Sequence, residues 1–294
     1  MNNDRRKFLK LTGSVALGTI LIPSACNFAT ESKATNTENG IKDFGLQLWS
    51  VRDDMAKDPK AILKQIASYG YTQIESFEGA MGIYWGMSNT DFKKYMDDLN
   101  MKIVSAHCDI NKDFEKKAAE AAAIGIKYLV CPWFGPQKSI DDFKKEAEKF
   151  NACGAICKKE GISFAYHNHD YGFKKLDGQL PQQVMMDNTD PALVDFEMDI
   201  YWVATANEDP EQWLKKYKNR FRLCHVKDRN KILVEDNGKN SIDLGTGTID
   251  FTKILKTAKE NGMQYFIVEQ EAYPNGTPMQ AVQVDAEYMK GLRI

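Results

Sequence analysis

Ile162–Phe173 reads ISFAYHNHDYGF, an apolar strand-like run that ends in two histidines two residues apart. Side chains spaced by two on a strand point to the same face, so the imidazoles of His167 and His169 can address one site. The chain has only 4 histidines, and the other two also close apolar runs: His107 ends KIVSAH and His225 ends FRLCH. Two more runs end in carboxylates, VDFEMD at Asp199 and YFIVEQE at Glu269 and Glu271. Polar, metal-competent side chains at successive strand ends point to a single shared site.

Outward from this stretch, strand and helix alternate eight times from residue 41. FGLQLWSV leads to a helix over Pro59–Tyr69, TQIESF to one over Asp91–Leu99, and KIVSAHCD to one over Phe114–Ile124. KYLVCPWF leads to Ile140–Lys159, then come ISFAYHNH, the strand LVDFEMDIYWV and Pro210–Tyr217. FRLCHVKD leads through a polar loop to Phe251–Asn261, and YFIVEQE to Met279–Leu292. Gly70, Gly125, Gly161 and Gly262 fit helix C-terminal positions. Eight strand–helix units describe an α/β fold, a (β/α)8 TIM barrel over residues 41–294, whose sites gather at the C-terminal strand ends. A doubly wound sheet would carry a phosphate-binding glycine turn after an early strand. GLQLWSVR has none, and Gly245-Thr246-Gly247 lies in the loop after strand seven, so it is not read as a dinucleotide fingerprint.

The 294 residues are 43% hydrophobic and 27% charged, with net charge -2 and pI near 6.1. That balance suits an ordinary globular protein and gives no electrostatic reason for a nucleic-acid partner. The first 40 residues differ. DRRKFLK precedes an apolar run over Leu11–Ala25, which reads as an export signal over residues 1–26. Arg5-Arg6 with Phe8-Leu9-Lys10 resembles a twin-arginine signal, and Ser24-Ala25-Cys26 resembles a lipoprotein processing site with Cys26 as the lipid-bearing residue. The expectation is export, to the periplasm or to a membrane through a lipid anchor, with residues 27–40 as a flexible tether. Cys108, Cys131, Cys153, Cys157 and Cys224 read as buried structural thiols.

His167, Asp199, His225 and Glu269 come from four consecutive strands and can converge over the barrel mouth. Imidazole with carboxylate suits Zn, Mn, Co or Fe. Acid–base candidates are Glu269, Lys227, Glu75 and His107, with His169 and Glu271. Lys227 shares a face with His225, Glu75 ends strand two, and His107 comes from the opposite arc, which suits a substrate hydrogen bond. Trp49, Trp85, Trp133, Tyr171 and Trp202 crowd the same rim, and aromatic faces suit sugar C–H groups. His169, Glu271, Trp49, Trp133 and Trp202 are therefore expected to bind substrate. No arginine cluster marks a phosphate site.

His167-Asn168-His169, Asp199-Ile200-Tyr201-Trp202, His225-Val226-Lys227-Asp228 and Val268-Glu269-Gln270-Glu271, in that order, resemble the sugar phosphate isomerase/epimerase superfamily of xylose isomerase-like barrels. The resemblance covers residues 41–294. It implies a divalent metal (Mn, Co, Zn or Mg), with Asp199, His225 and Glu269 in three of the family's four ligand roles. Where the family often has Glu-Asn-His, this chain has His167-Asn168-His169, which departs from two-glutamate epimerisation. The implied chemistry is proton removal next to a carbonyl of a keto-sugar or sugar derivative, giving an isomerase or epimerase. A metal-dependent lyase that cleaves keto-glycosides by elimination is the alternative, and a non-catalytic carbohydrate-binding lipoprotein is a third reading. The expected partner is a small carbohydrate, and the sequence leaves the oligomeric state open.

Overall fold

A computed structural model describes residues 40–234 and 237–294. The export signal and the lipid-bearing Cys26 lie outside the described residues, as does the tether up to residue 39. The eight barrel strands are β1 (Gly45–Gln47), β2 (Gln73–Phe77), β3 (Lys102–His107), β4 (Tyr128–Cys131), β5 (Ser163–His167), β6 (Val194–Asp199), β7 (Phe221–Val226) and β8 (Tyr265–Val268). All neighbours pair in parallel and β8 closes onto β1, so this is the expected (β/α)8 TIM barrel. The larger helices are α1 (Pro59–Tyr69), α2 (Asn89–Asp98), α3 (Phe114–Ala123), α4 (Ile140–Lys159), α5 (Pro181–Asp187), α6 (Ile200–Thr205), α7 (Pro210–Lys216), α8 (Phe251–Glu260) and α9 (Pro278–Gly291). Gly70, Gly125, Gly161 and Gly262 all have positive φ, the left-handed conformation that ends a helix at little cost only for glycine. Gly40 bridges Arg293, which ties the start of the barrel to its end.

Two layers of core follow from strand alternation. Outward side chains such as Phe164, Phe196 and Val226 pack under the helices. Inward ones, Val104, Tyr128, Val130, Ala165, Leu223 and Ile267, form a small separate plug inside the barrel. The next inward step along three strands leads from this plug into the site: Ala165 to His167, Leu223 to His225 and Ile267 to Glu269. The five described cysteines are free and buried, and burial pushes thiols such as Cys153 up to about 11, as structural thiols require.

Three details differ from the sequence reading. The run LVDFEMDIYWV is not one strand: β6 stops at Asp199, whose side chain accepts from the Trp202 amide and caps α6. A capping carboxylate outweighs the β-propensity of Ile-Tyr-Trp-Val. In FGLQLWSV only Gly45–Gln47 is strand, because the Gln47 carboxamide accepts from the Trp49 amide and turns the chain into a 3-10 turn. Between β5 and β6 lies α5, started by Pro181, for which no helix was expected. Among the aromatics, Trp85 is buried and donates to Ser76 Oγ at 3.1 Å. It packs edge-to-face against Phe77.

Candidate metal centre and its cavity

Four side chains meet where β5 to β8 end. His167 Nε2 lies 3.1 Å from His225 Nδ1 and 3.4 Å from Asp199 Oδ2. His225 Nδ1 lies 3.2 Å from Glu269 Oε2 and 3.6 Å from Asp199 Oδ2. Each is buried. Register explains the convergence: Asp199 pairs with His225 across β6 and β7, and His167 stands level with Glu197 across β5 and β6. The Asn168 carboxamide clamps the ends of β5 and β6 by donating to Asp199 O and accepting from Asp199 N, each at 3.2 Å.

The outer nitrogens set the tautomers. His167 Nδ1 donates to Pro132 O at 3.3 Å, and His225 Nε2 donates to Glu75 Oε1 at 2.8 Å. The inner nitrogens, His167 Nε2 and His225 Nδ1, face each other beside a buried Asp199 Oδ2 without a hydrogen-bond partner. Against the pull of burial, Glu197 and Glu269 hold His225 well above the ordinary imidazole range, so a proton sits between the two nitrogens unless a cation replaces it. Lone pairs at this separation repel unless a cation or proton sits between them. A tetrahedral ion with bonds of roughly 2.0–2.1 Å requires ligand atoms roughly 3.3 Å apart, and the measured separations scatter around that value. The donor set therefore fits a divalent metal, with the outer hydrogen bonds in the arrangement that orients ligating imidazoles.

Beneath it lies a second ring of four buried groups, linked through His225. His107 Nε2 donates to Glu197 Oε2 at 2.7 Å and lies 3.1 Å from Glu75 Oε1, which also accepts from Gln47 Nε2 at 2.7 Å. Register breaks flank this ring, at Ile74/Glu75 between β2 and β3 and at Phe196/Glu197 between β6 and β7. Such bulges re-aim side chains beside active sites. They let Val104 and His107, three apart, both serve the interior. Glu197 escaped the sequence reading, although it stands two residues before Asp199 on the same face.

Carboxylates dominate the electrostatics. Burial would pull His107 down, but Glu75 and Glu197 hold it up to about 10. Burial likewise opposes the charge on Lys227, yet Glu269, Glu271 and Asp199 raise its ammonium above the ordinary value. Burial raises Glu197, with Glu75 adding to it, whereas Lys227 and His225 keep Glu269 low against its own burial. Burial and the neighbouring His167 keep His169 neutral. Four buried carboxyl groups, Glu75, Glu197, Asp199 and Glu269, thus face three groups that they hold protonated, Lys227, His107 and His225, and a divalent cation could take the place of the proton on His225.

A cavity of about 670 Å³ opens onto this centre, and His107, His167, His169, Glu269, Glu271, Trp49, Trp133 and Trp202 line it. Lys227 does not reach it. Its Nζ contacts Glu271 and donates to Glu269 Oε2 at 3.2 Å, over the rings of Tyr201 and Trp202. Glu75 likewise lies below the cavity, fully buried. Glu271 stands at the wall, accepting from Trp49 Nε1 at 3.2 Å. His169 packs against Trp133, Tyr171 and Trp202 rather than joining the donor set.

Comparisons with known proteins agree with this architecture. A family model described as "Xylose isomerase-like TIM barrel" matches residues 63–292. A crystal structure of a sugar phosphate isomerase/epimerase from Parabacteroides distasonis is 31% identical, covers 88% of this chain and 96% of that one, and superposes with a TM-score of 0.72. An inosose dehydratase of Clostridium perfringens is 31% identical over 147 residues, 46% of this chain and 49% of the relative. The chain thus spans about half the length of the first curated relatives it matches. The IolI protein, solved with a bound zinc atom, shares the fold at 15% identity, with a TM-score of 0.67 over 83% of this chain and 95% of that one.

Proposed function

The chain belongs to the xylose isomerase-like TIM barrel family, and from that premise we propose a metal-dependent lyase that eliminates a leaving group next to a carbonyl of a polyhydroxylated, sugar-like substrate. The observation that carries the reading is the cluster of donor atoms from His167, Asp199, His225 and Glu269, spaced as one ion would hold them, beside a cavity. His167, Asp199, His225 and Glu269 would hold the ion. A divalent metal bound there supplies Lewis-acid polarisation of a carbonyl and its neighbouring hydroxyl.

The chain's own groups handle the proton. Glu271, on the cavity wall and backed by the Lys227 ammonium, takes the proton from the carbon next to the carbonyl. The C–H electron pair becomes the new double bond as the bond to the oxygen on the next carbon breaks, and that oxygen leaves with the proton that Glu271 has taken up. Lys227 supplies positive charge through Glu271 and Glu269 without touching substrate. Glu75 holds His225 in the tautomer that presents Nδ1. Trp202 and His169 shape the wall over the reacting carbon.

Two considerations favour elimination over epimerisation. β5 offers an imidazole, His167, instead of a second carboxylate for proton transfer from the opposite face. The inosose dehydratase relatives carry, in their name, the loss of water. Zinc in the IolI protein supports a metal in the equivalent fold.

The test is proton NMR in D₂O with Mn- or Zn-loaded protein and a panel of keto-sugars and keto-glycosides. Appearance of an enone signal with release of water or alcohol is expected. Deuterium exchange with the carbon skeleton and its substituents intact would instead establish an isomerase or epimerase. No change with any substrate, together with a His225→Ala variant that keeps its metal, would overturn the site.

A further inference from the structure

The cavity is larger than one sugar needs. At interior packing density a single hexose fills roughly 200 Å³, against about 670 Å³ here. The proposed reacting groups cluster at one pole. The other pole is lined by residues that neither the donor set nor the proton chemistry uses: Glu78, Asp109, Asn111, Glu146 and Lys149, beside Trp133.

This far pole is a built surface. Glu78 Oε2 accepts from the buried Lys117 Nζ at 2.6 Å and from the Asp109 amide at 2.9 Å, so its carboxylate is held rigidly. Asp109 Oδ1 fixes Asn111 through its amide at 2.9 Å and its carboxamide at 3.0 Å. Lys149 Nζ contacts Asn111 and lies 3.8 Å from Glu146 Oε2. That Glu146 oxygen is buried without a hydrogen-bond partner, which leaves an acceptor waiting for a donor. Trp133 is 53% exposed although two edge-to-face contacts, with His169 and Tyr171, fix its ring. A large aromatic that is immobilised yet left bare on a cavity wall is a stacking platform.

Charges of both signs alternate along this pole. A phosphate would call for concentrated positive charge, whereas here charged groups of both signs stand among apolar ones such as Ile110 and Phe134, which suit the C–H face of a ring. Fixed acceptors, donors and a bare indole together fit a neutral ring of hydroxyls. We propose that the far pole is a second sugar subsite, so that the substrate is a two-ring glycoside whose bond is broken between the subsites. The proposal rests on the reading of the metal pole as the reacting site.

Binding by unreactive sugars tests it apart from the chemistry. The quenching of tryptophan fluorescence gives Kd for α- and β-linked disaccharides of glucose and galactose and for the matching methyl glycosides. At least one disaccharide is expected to bind about tenfold tighter than its methyl glycoside, a gain of about 1.4 kcal/mol. Calorimetry on Trp133→Ala, and either readout on Lys149→Ala, should bring that ratio to about one. Equal affinities across the panel, or a gain that survives both variants, would overturn the subsite. Failure of the reacting-site reading would appear elsewhere, as absent metal and absent elimination, with the disaccharide preference intact.

Discussion

At the scale of single residues, one carboxylate carries two jobs. Asp199 Oδ1 caps α6 through the Trp202 amide while Oδ2 faces the donor set. Asn caps as well as Asp does, so Asp199→Asn should keep the thermal stability of the metal-free protein while weakening metal binding. Asp199→Ala should lose both, at an additional cost of about 1 kcal/mol for the cap. Titration of metal content beside a melting curve separates the two effects. Glu75→Gln leaves every proposed ligand in place but removes the carboxylate that orients His225. Its expected cost is roughly 10–100-fold in metal affinity, measured by competition with a chromophoric chelator; an unchanged affinity would remove Glu75 from the site. The histidines and Asp199 were legible because strand alternation put them at the ends of apolar runs. Glu197 shares that spacing, two residues before Asp199, but nothing local shows that its partner is His107, from β3.

At the scale of elements, close approach decides. The carboxylate of Asp228 accepts from the amides of Arg229, Gly245, Gly247 and Ile249, and this wraps the loop after β7. A Cβ on Gly247 would sit 2.2 Å from Asp228 Oδ1 and 2.5 Å from Arg229 O. The Gly-Thr-Gly stretch is thus a loop wound on a buried carboxylate, and Asp228→Ala, which orphans these amides, should cost at least about 3 kcal/mol in chemical denaturation. Between α7 and α8, Glu211 meets Lys253 Nζ at 2.5 Å and Thr257 Oγ1 at 2.8 Å. The Lys253 hydrogen bond leads in lowering its carboxyl from about 4.5 to about 2. A depressed carboxyl stabilises the fold above its unfolded value and loses that contribution as pH falls through the folded value. Glu211→Gln should therefore be less stable than the parent at pH 6, with the difference closing between about pH 4.5 and about pH 2. A gap unchanged by acid would show that the pair contributes nothing.

At the scale of the whole molecule, the metal and the fold are linked. The donor set joins β5, β6, β7 and β8, so an ion that binds only the folded chain stabilises the whole barrel. At a free concentration 100 times Kd the gain is about 2.7 kcal/mol. A chelator should lower Tm and Mn or Zn should restore it, whereas an indifferent Tm would argue against a bound ion. The N-terminal segment carries its own expectation: Cys26→Ser should move the protein from the membrane fraction to the soluble one.

The sequence by itself determined the barrel and the polar ends of its strands, because both are local periodicities. Eight strand–helix alternations specify the layers, and a period of two places His167, His225 and Glu269 one step beyond an apolar plug. Tertiary structure alone decided how those ends meet. Pairing register sets Asp199 against His225, and the backbone carbonyl of Pro132 and the carboxylate of Glu75 choose which imidazole nitrogens face inward. The cavity's far pole joins the loops after β2, β3 and β4 to the flank of α4. Apart from Trp133, each of those residues reads locally as an ordinary surface group, and only closure of the barrel makes them neighbours.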